Sequence, residues 1–336
     1  MKYAIGVDLG GTNIVTILMS EKGRIVSRDK RPTECRKGKD HVLNRISESI
    51  QAVIRSQGSG VRDKKLWTMD YGLSTAVAGI GIGTPGMVDL DSGIVYEAPN
   101  LKGWDNVPLA KIYSKQFGLP VFLENDANAA ALGEWWTGAG KGTKNLICLT
   151  LGTGIGGGII IDGAVYHGSE GYAGELGHIS ISMDGPECGC GSTGCLEVYA
   201  SAHRIIKKTV ALLKEKKNRG SLILKLADNK MDGVNPEIIT RAAEKGDRLA
   251  RKIWNDTGYY LGSGIASLVN TFNPDMIVLT GGMTGAKKFF FPSLWKTVRK
   301  RAFKTPVKNL RIEIGKLPDD AGAVGAAKTA FQRTNK

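Results

Sequence analysis

The sequence predicts an α/β protein of two domains. Its 336 residues, 42% of them apolar, exceed what one core ordinarily holds and suffice for two. A unit of strand, Gly-Thr turn and strand occurs twice, near the start of the chain and again from Leu146, as two related domains facing one another would produce. Helical segments accompany these strands. Residues 127–136 are alanine-rich, and Ile205, Ile206, Val210, Leu212 and Leu213 have the spacing of an amphipathic helix.

Residues 4–9 form an apolar strand, Gly10-Gly11-Thr12-Asn13 a tight turn and residues 14–19 a second strand, which together make a β-hairpin. The strand 146–151 leads likewise into Gly152-Thr153-Gly154-Ile155-Gly156-Gly157-Gly158, and residues 159–162 leave it as a strand. A third glycine pair, Gly281-Gly282, ends the apolar strand 276–280. Glycine lets backbone N–H groups approach oxygen anions and the threonine hydroxyls add donors, so two such tips can hold a polyphosphate from both sides of a cleft. Most glycine turns are merely turns. Neither tip is a P-loop, since no Gly-Lys-Ser/Thr follows. Neither is a dinucleotide fingerprint, because each leads into an apolar strand where that motif needs a helix.

Glu124-Asn125-Asp126 follows the strand 121–123 and opens the helix that runs to Trp136. Asp is a favoured N-cap, which is one role for Asp126. A carboxylate at the carboxyl end of a strand is also where a general base sits. The residues alone leave both roles open.

His178, Cys188, Cys190 and Cys195 lie in one loop. Three thiolates and an imidazole are the ligand set of a closed, tetrahedral structural Zn²⁺ site, which leaves no open position for hydrolytic chemistry. A disulfide or a set of unrelated thiols is the alternative, because Cys-x-Cys is tighter than the commoner ligand spacing; His178 tips the balance to metal. Glycines at 185, 189, 191 and 194 permit the short turns. Of the other cysteines, Cys148 reads as a small buried hydrophobe and Cys35 as a free thiol in a basic loop.

The formal net charge is +14, with basic residues concentrated at 204–225 and 287–311. Nucleic-acid binding would use such charge, but the first region reads as the solvated face of the amphipathic helix, and no helix-turn-helix or zinc-finger helix precedes the first strand. A positive field also attracts an anionic substrate such as a nucleotide. No apolar run approaches membrane-spanning length and no signal-peptide pattern opens the chain. The expectation is a soluble cytoplasmic protein with neither a membrane nor a nucleic-acid partner.

Five motifs stand in order: Asp8-Leu-Gly-Gly-Thr12, Glu124-Asn-Asp-Ala-Asn128, Leu151-Gly-Thr-Gly-Ile-Gly-Gly-Gly158, Ala173-Gly-Glu-Leu-Gly-His178, and Cys188-Gly-Cys-Gly with Gly194-Cys-Leu-Glu197. Together they resemble the ROK family of sugar kinases and sugar-responsive repressors, over nearly the whole chain. The resemblance is nearest the ATP-dependent glucokinase branch, of which Pro99-Asn-Leu-Lys-Gly-Trp104 is typical, although Lys102 stands where a small or proline residue is common.

That resemblance implies the actin-like, ribonuclease-H-like ATPase fold, with two α/β domains and a nucleotide and sugar cleft between them. The first would comprise residues 1–123 plus 319–336, its terminal helix packing back on it, and the second residues 124–318 with the zinc loop 178–195. The implied activity is transfer of the γ-phosphate of ATP to the 6-hydroxyl of glucose, or to another hexose or N-acetylhexosamine. ATP with Mg²⁺ and structural Zn²⁺ are the implied cofactors, and a homodimer or homotetramer the implied assembly. Asp126 would accept the proton of the 6-hydroxyl; Asn100, Asn125, Asp126, Glu175, His178 and Glu197 would contact the sugar. Asp8 would sit near Mg²⁺, and Gly10, Gly11, Thr12, Asn13, Thr153 and Gly154 would contact phosphates, with Gly281 and Gly282 on the adenosine side. His178, Cys188, Cys190 and Cys195 would hold zinc and so fix the turn to Glu197. A sugar-responsive repressor is the second reading. Repressors of the family carry a DNA-binding extension before the Asp-x-Gly-Gly-Thr strand, and seven residues precede Asp8. The polar stretch 218–236 carries no recognisable chemistry.

Overall fold

The computed structural model describes residues 2–56, 67–68, 72–73, 77–98 and 100–334; Pro99, which opens the segment ending at Trp104, lies outside them. The chain begins with β1 (Tyr3–Leu9), β2 (Asn13–Ser20), β3 (Ile25–Pro32), α1 (Lys39–Arg55), β4 (Trp67–Thr68), β5 (Gly72–Leu73) and β6 (Val77–Thr84). Next come β7 (Met87–Asp89), β8 (Ile94–Glu97), β9 (Asp105–Val107), α2 (Leu109–Phe117), β10 (Val121–Asn125), α3 (Asp126–Trp136), β11 (Leu146–Leu151), β12 (Ile155–Ile161) and β13 (Ala164–Val165). The remainder is α4 (Leu196–Ala200), α5 (Ala202–Leu213), α6 (Leu222–Leu226), α7 (Pro236–Glu244), α8 (Arg248–Phe272), β14 (Met276–Thr280), α9 (Lys287–Arg301), α10 (Lys304–Asn309), β15 (Arg311–Ile314) and α11 (Ala321–Thr334).

Two compact units result: Met1–Cys148 with Gly158–Gly174 and Gly315–Lys336, and Leu149–Gly157 with Glu175–Ile314. The boundary expected after Leu123 does not fall there. Strand β10 pairs in parallel with β6, and α3 packs along α11, so both belong to the first unit.

The sheet of the first unit has the order β10-β6-β1-β2-β3. β1 is antiparallel to β2, as the hairpin pattern predicts, and parallel to β6. Side chains alternate across a strand, and that parity divides β1. Ile5, Val7 and Leu9 share a core with Val42, Ile46, Ile50 and Val53 of α1, whose spacing makes one apolar stripe. Ala4 faces the other way, into a core with Ala323, Val324, Ala327 and Ala330 of α11. Gly6 and Asp8 have the parity of Ala4. A Cβ on Gly6 would lie 1.9 Å from the Ala323 carbonyl oxygen, one on Gly81 1.8 Å from that of Ala326, and one on Gly133 of α3 2.1 Å from that of Ala321. Only the absence of side chains lets α11 come so close to the sheet and to α3.

Glu134 of α3 is fully buried and accepts three backbone N–H groups, from Ala139 at 2.8 Å, Lys316 at 3.0 Å and Leu317 at 2.8 Å. It fastens α3 to the segment that leads into α11.

In the second unit β14 lies between β11 and the parallel β15. The long α8 packs on α9 around Trp254 and Phe290, with Gly258 and Gly262 facing the α9 backbone. The polar stretch 218–236 contains a real helix, α6. Asp247 accepts from the Ser221 hydroxyl at 2.9 Å and the Leu222 amide at 2.7 Å while also capping α8 through Ala250 N–H at 2.8 Å, so the stretch is structural. No helix among the described residues is long and apolar enough to cross a membrane.

Glu134→Ala takes the acceptor from three partly buried N–H donors, a cost of about 3 kcal/mol. The expected outcome is a fall in the thermal unfolding midpoint of roughly 5–10 °C, measured by circular dichroism; an unchanged midpoint would show that water replaces the carboxylate.

Candidate functional site

Asp8, the penultimate residue of β1, lies opposite Gly83 of β6. A Cβ on Gly83 would lie 3.8 Å from the Asp126 Cα, so the two acidic residues flank one glycine. Burial, then the charges of Asp126 and Asp320, push the Asp8 carboxyl up to about 7. The first turn of α11 abuts it, and a Cβ on Gly322 would meet Asp8 Oδ2 at 2.5 Å. Mg²⁺ is ordinarily bound by one or two carboxylates together with substrate phosphates, and Asp8 supplies hard oxygen ligands of that kind beside the further carboxylates of Asp126 and Asp320.

The adjoining tip is built to expose its backbone. Gly10 N–H donates to Asn13 O at 3.0 Å. The buried Thr33 props it from beneath, its hydroxyl donating to Gly10 O at 2.6 Å and its N–H to Thr12 O at 2.8 Å. Gly11 and Thr12 are left exposed at the apex, and Asn100 stands beside them, its Cβ 3.8 Å from where a Gly11 Cβ would be.

The capping role considered for Asp126 belongs to Asn125. Its Oδ1 accepts from Ala127 N–H at 2.9 Å and Asn128 N–H at 3.2 Å, and Asp126 is the first residue inside the helix. Asp126 Oδ1 also accepts from Ala127 N–H at 2.8 Å. A half-buried anion in the first turn gains from the helix dipole.

In the second unit, Gly152 N–H donates to Gly154 O at 3.0 Å, which closes the turn and leaves Thr153 exposed at its apex. Gly281, at φ 95°, backs onto the end of β11, where a Cβ would meet Leu151 O at 2.5 Å. The two glycine tips are therefore neighbours. Glu197, in the first turn of α4, binds the same region: its Oε2 accepts from Ile155 N–H at 2.9 Å, in a space that a Cβ on Gly154 would enter at 2.4 Å. The residue expected to contact sugar is thus also a strut of the glycine turn.

The four metal-ligand candidates converge, with ligand atoms all within 4.8 Å of one another. A tetrahedron with metal–sulfur bonds of about 2.3 Å has sulfur–sulfur edges of about 3.8 Å. Cys190 Sγ and Cys195 Sγ are 3.7 Å apart, and Cys188 Sγ lies 3.5 Å from His178 Nδ1. Residues and spacing fit Zn²⁺. Gly194, at φ 68°, is needed here, since a Cβ would fall 1.7 Å from Ser182 O. His178 directs Nδ1 to the sulfurs while Nε2 faces Glu175 Oε2 at 3.9 Å, so one imidazole can serve the metal and still present a nitrogen elsewhere. Glu175 is well exposed, 67% by side chain.

Of the residues expected to contact sugar, Asn100, Asn125 and Asp126 lie in the first unit and Glu175, His178 and Glu197 in the second. Sequence reasoning missed Glu124 as a buried acceptor, with His167 as its partner 43 residues away. The Glu-Asn-Asp motif pointed to Glu124, but nothing local marks His167.

Comparison with known proteins gives a consistent result. The model of the ROK family matches residues 4–333. The glucokinase of Thermotoga maritima is 38% identical over 331 residues, 98% of this chain and 97% of its own. The xylose repressor of Caldicellulosiruptor bescii is 34% identical over 321 residues, 96% of this chain and 76% of its own. Among solved structures, a ROK family glucokinase from Streptomyces griseus in complex with glucose and AMPPNP aligns with a TM-score of 0.81 at 34% identity, covering 98% of this chain and 99% of that one.

A carboxyl whose pKa is raised by folding contributes stability that is present below its unfolded value and lost as pH rises through its folded value, here from about 4 to about 7. Asp8→Asn removes that loss. Without added Mg²⁺ or nucleotide, the variant should melt above the wild type at pH 8 and the gap should shrink at pH 5.5; a gap independent of pH would contradict it. Cys190→Ser should drop bound zinc from about one per chain to well under half by elemental analysis. Full retention would remove Cys190 from the ligand set.

Proposed function

The chain belongs to the ROK family, and from that premise we propose that it is an ATP-dependent glucose kinase, transferring the γ-phosphoryl group of ATP to the 6-hydroxyl of glucose. The observation that carries this reading is near full-length similarity to glucokinases, in sequence and in the actin-like ATPase fold, joined to the presence of every motif residue.

Phosphoryl transfer demands alignment and charge neutralisation more than covalent chemistry. Asp126 orients the 6-hydroxyl and accepts its proton as the oxygen attacks. This role is supported by Asn125 having taken over the capping task at the start of α3. Backbone N–H groups at Gly10, Gly11, Thr12 and Asn13, and those at Thr153 and Gly154, receive phosphate oxygens; Gly281 and Gly282 lie on the adenosine side. Mg²⁺, when bound, neutralises charge on the transferring group, and Asp8 is the residue that would hold it, directly or through water.

Asn100 and Asn125 in the first unit, and Glu175, His178 Nε2 and Glu197 in the second, supply donors and acceptors for ring hydroxyls. Zn²⁺ held by His178, Cys188, Cys190 and Cys195 would serve as a structural brace for Glu197 and the imidazole. Hydroxyl recognition by paired, fixed carboxylates is what separates one hexose from another.

The test is ADP release from Mg-ATP with glucose, mannose, fructose, allose, N-acetylglucosamine and N-acetylmannosamine. Glucose should be turned over fastest, and Asp126→Asn should lower kcat by about 10²–10⁴-fold while calorimetric glucose affinity stays within about threefold. Retained turnover would end the role of Asp126, and preference for another sugar would correct the substrate. Sugar binding without any turnover would favour the sugar-responsive repressor reading, which the similarity to the xylose repressor keeps in view.

A further inference from the structure

Glu124 stands two residues before Asp126 and is 3% exposed. Its Oε1 and Oε2 lie 3.1 and 3.0 Å from one nitrogen, His167 Nε2, and Oε1 also accepts from Asn125 N–H at 3.1 Å. A carboxylate facing an imidazole accepts, so Nε2 carries the hydrogen. The imidazole is set by its own loop. Ala173 N–H donates to His167 O at 3.0 Å, and Gly168 turns at φ 71° with Ala173 packed where a Cβ would be. His167 and Glu124 both line a cavity of about 790 Å³ with Tyr96, Tyr172 and Arg333, and of the pair the imidazole is the more open to it, 31% exposed against 4% for the carboxylate.

We propose that His167 is a positioning residue for phosphoryl transfer: by holding the Glu124 carboxylate it fixes the Asn125 amide and cap, and through them the aim of Asp126. Asn125 is gripped twice, its N–H by Glu124 and its Oδ1 by the first amides of α3. Asp126 is the next residue, and its Cα has no freedom once Asn125 is fixed. Without His167 the buried carboxylate loses its only side-chain donor among the described residues and is driven to turn toward water, since a buried charge with a lost partner is costly. That turn releases the Asn125 N–H. Supporting groups of this kind tune a site without touching the reacting atoms.

The consequence for turnover rests on the kinase reading; the consequence for the backbone does not. Two measurements separate them. In His167→Ala, amide hydrogen exchange over residues 124–128 should accelerate about tenfold or more, and kcat with glucose should fall about 10–100-fold while KM for ATP stays within about twofold. His167→Gln, which keeps an N–H donor at the same reach, should restore both to near wild type. Unchanged exchange over 124–128 in His167→Ala would overturn the proposal, as would a glutamine variant as impaired as the alanine one. Should the wild type fail to phosphorylate glucose, the substrate reading falls and the exchange result alone decides the positioning role.

Discussion

The first unit depends on α11 lying close against the sheet at glycines that put no side chain between them. Where a Cβ at Gly6 or Gly81 would overlap the helix backbone, the strands and the helix meet main chain to main chain. Small residues bury little apolar area each, so the stability of this contact comes from packing density and dispersion, not from large side chains. The functional geometry follows from it. α3 docks on α11 by the same device, with Gly325 accommodating the Ala129 carbonyl and Gly133 that of Ala321. α11 brings Gly322 to the Asp8 carboxylate, and α3 begins at Asp126. One helix therefore sets the relative place of both acidic residues, and a displacement of an ångström along it would be felt at each. Glu134 adds a polar lock, using three backbone donors to hold the approach to α11 where the small-residue contact needs it.

Much of this was legible in the sequence because it is written locally. Both strand, glycine turn, strand units are adjacent runs with the period of extended chain, and the structure reproduces them as β1–β2 and β11–β12. His178, Cys188, Cys190 and Cys195 fall within one loop, so their convergence needed no knowledge of topology. What stayed hidden depends on distant partners or on which of two adjacent residues takes a task. Asn125 and Asp126 are both good caps by type, and only backbone geometry assigns the cap to Asn125. The domain boundary was misjudged because β10 reads as the start of something new, whereas its pairing with β6 is set by residues forty positions earlier. The stretch 218–236 looks polar because its anchor, Asp247, comes later in the chain. Glu124 and His167 escape for the same reason: a hydrogen bond between remote segments leaves no periodic trace.

In the second unit Glu197 leaves the cysteine loop and immediately grips the Ile155 amide of the glycine turn. A single carboxylate that serves two loops makes them energetically one object. Substitutions in 185–194 and in 152–156 should then fail to combine additively, since each alters the footing of the other. Change in the cysteine loop cannot proceed without a matching adjustment in the glycine turn that the same carboxylate holds, which makes mutational epistasis, and not the tolerance of any single residue, the brake on how fast this half of the molecule can change.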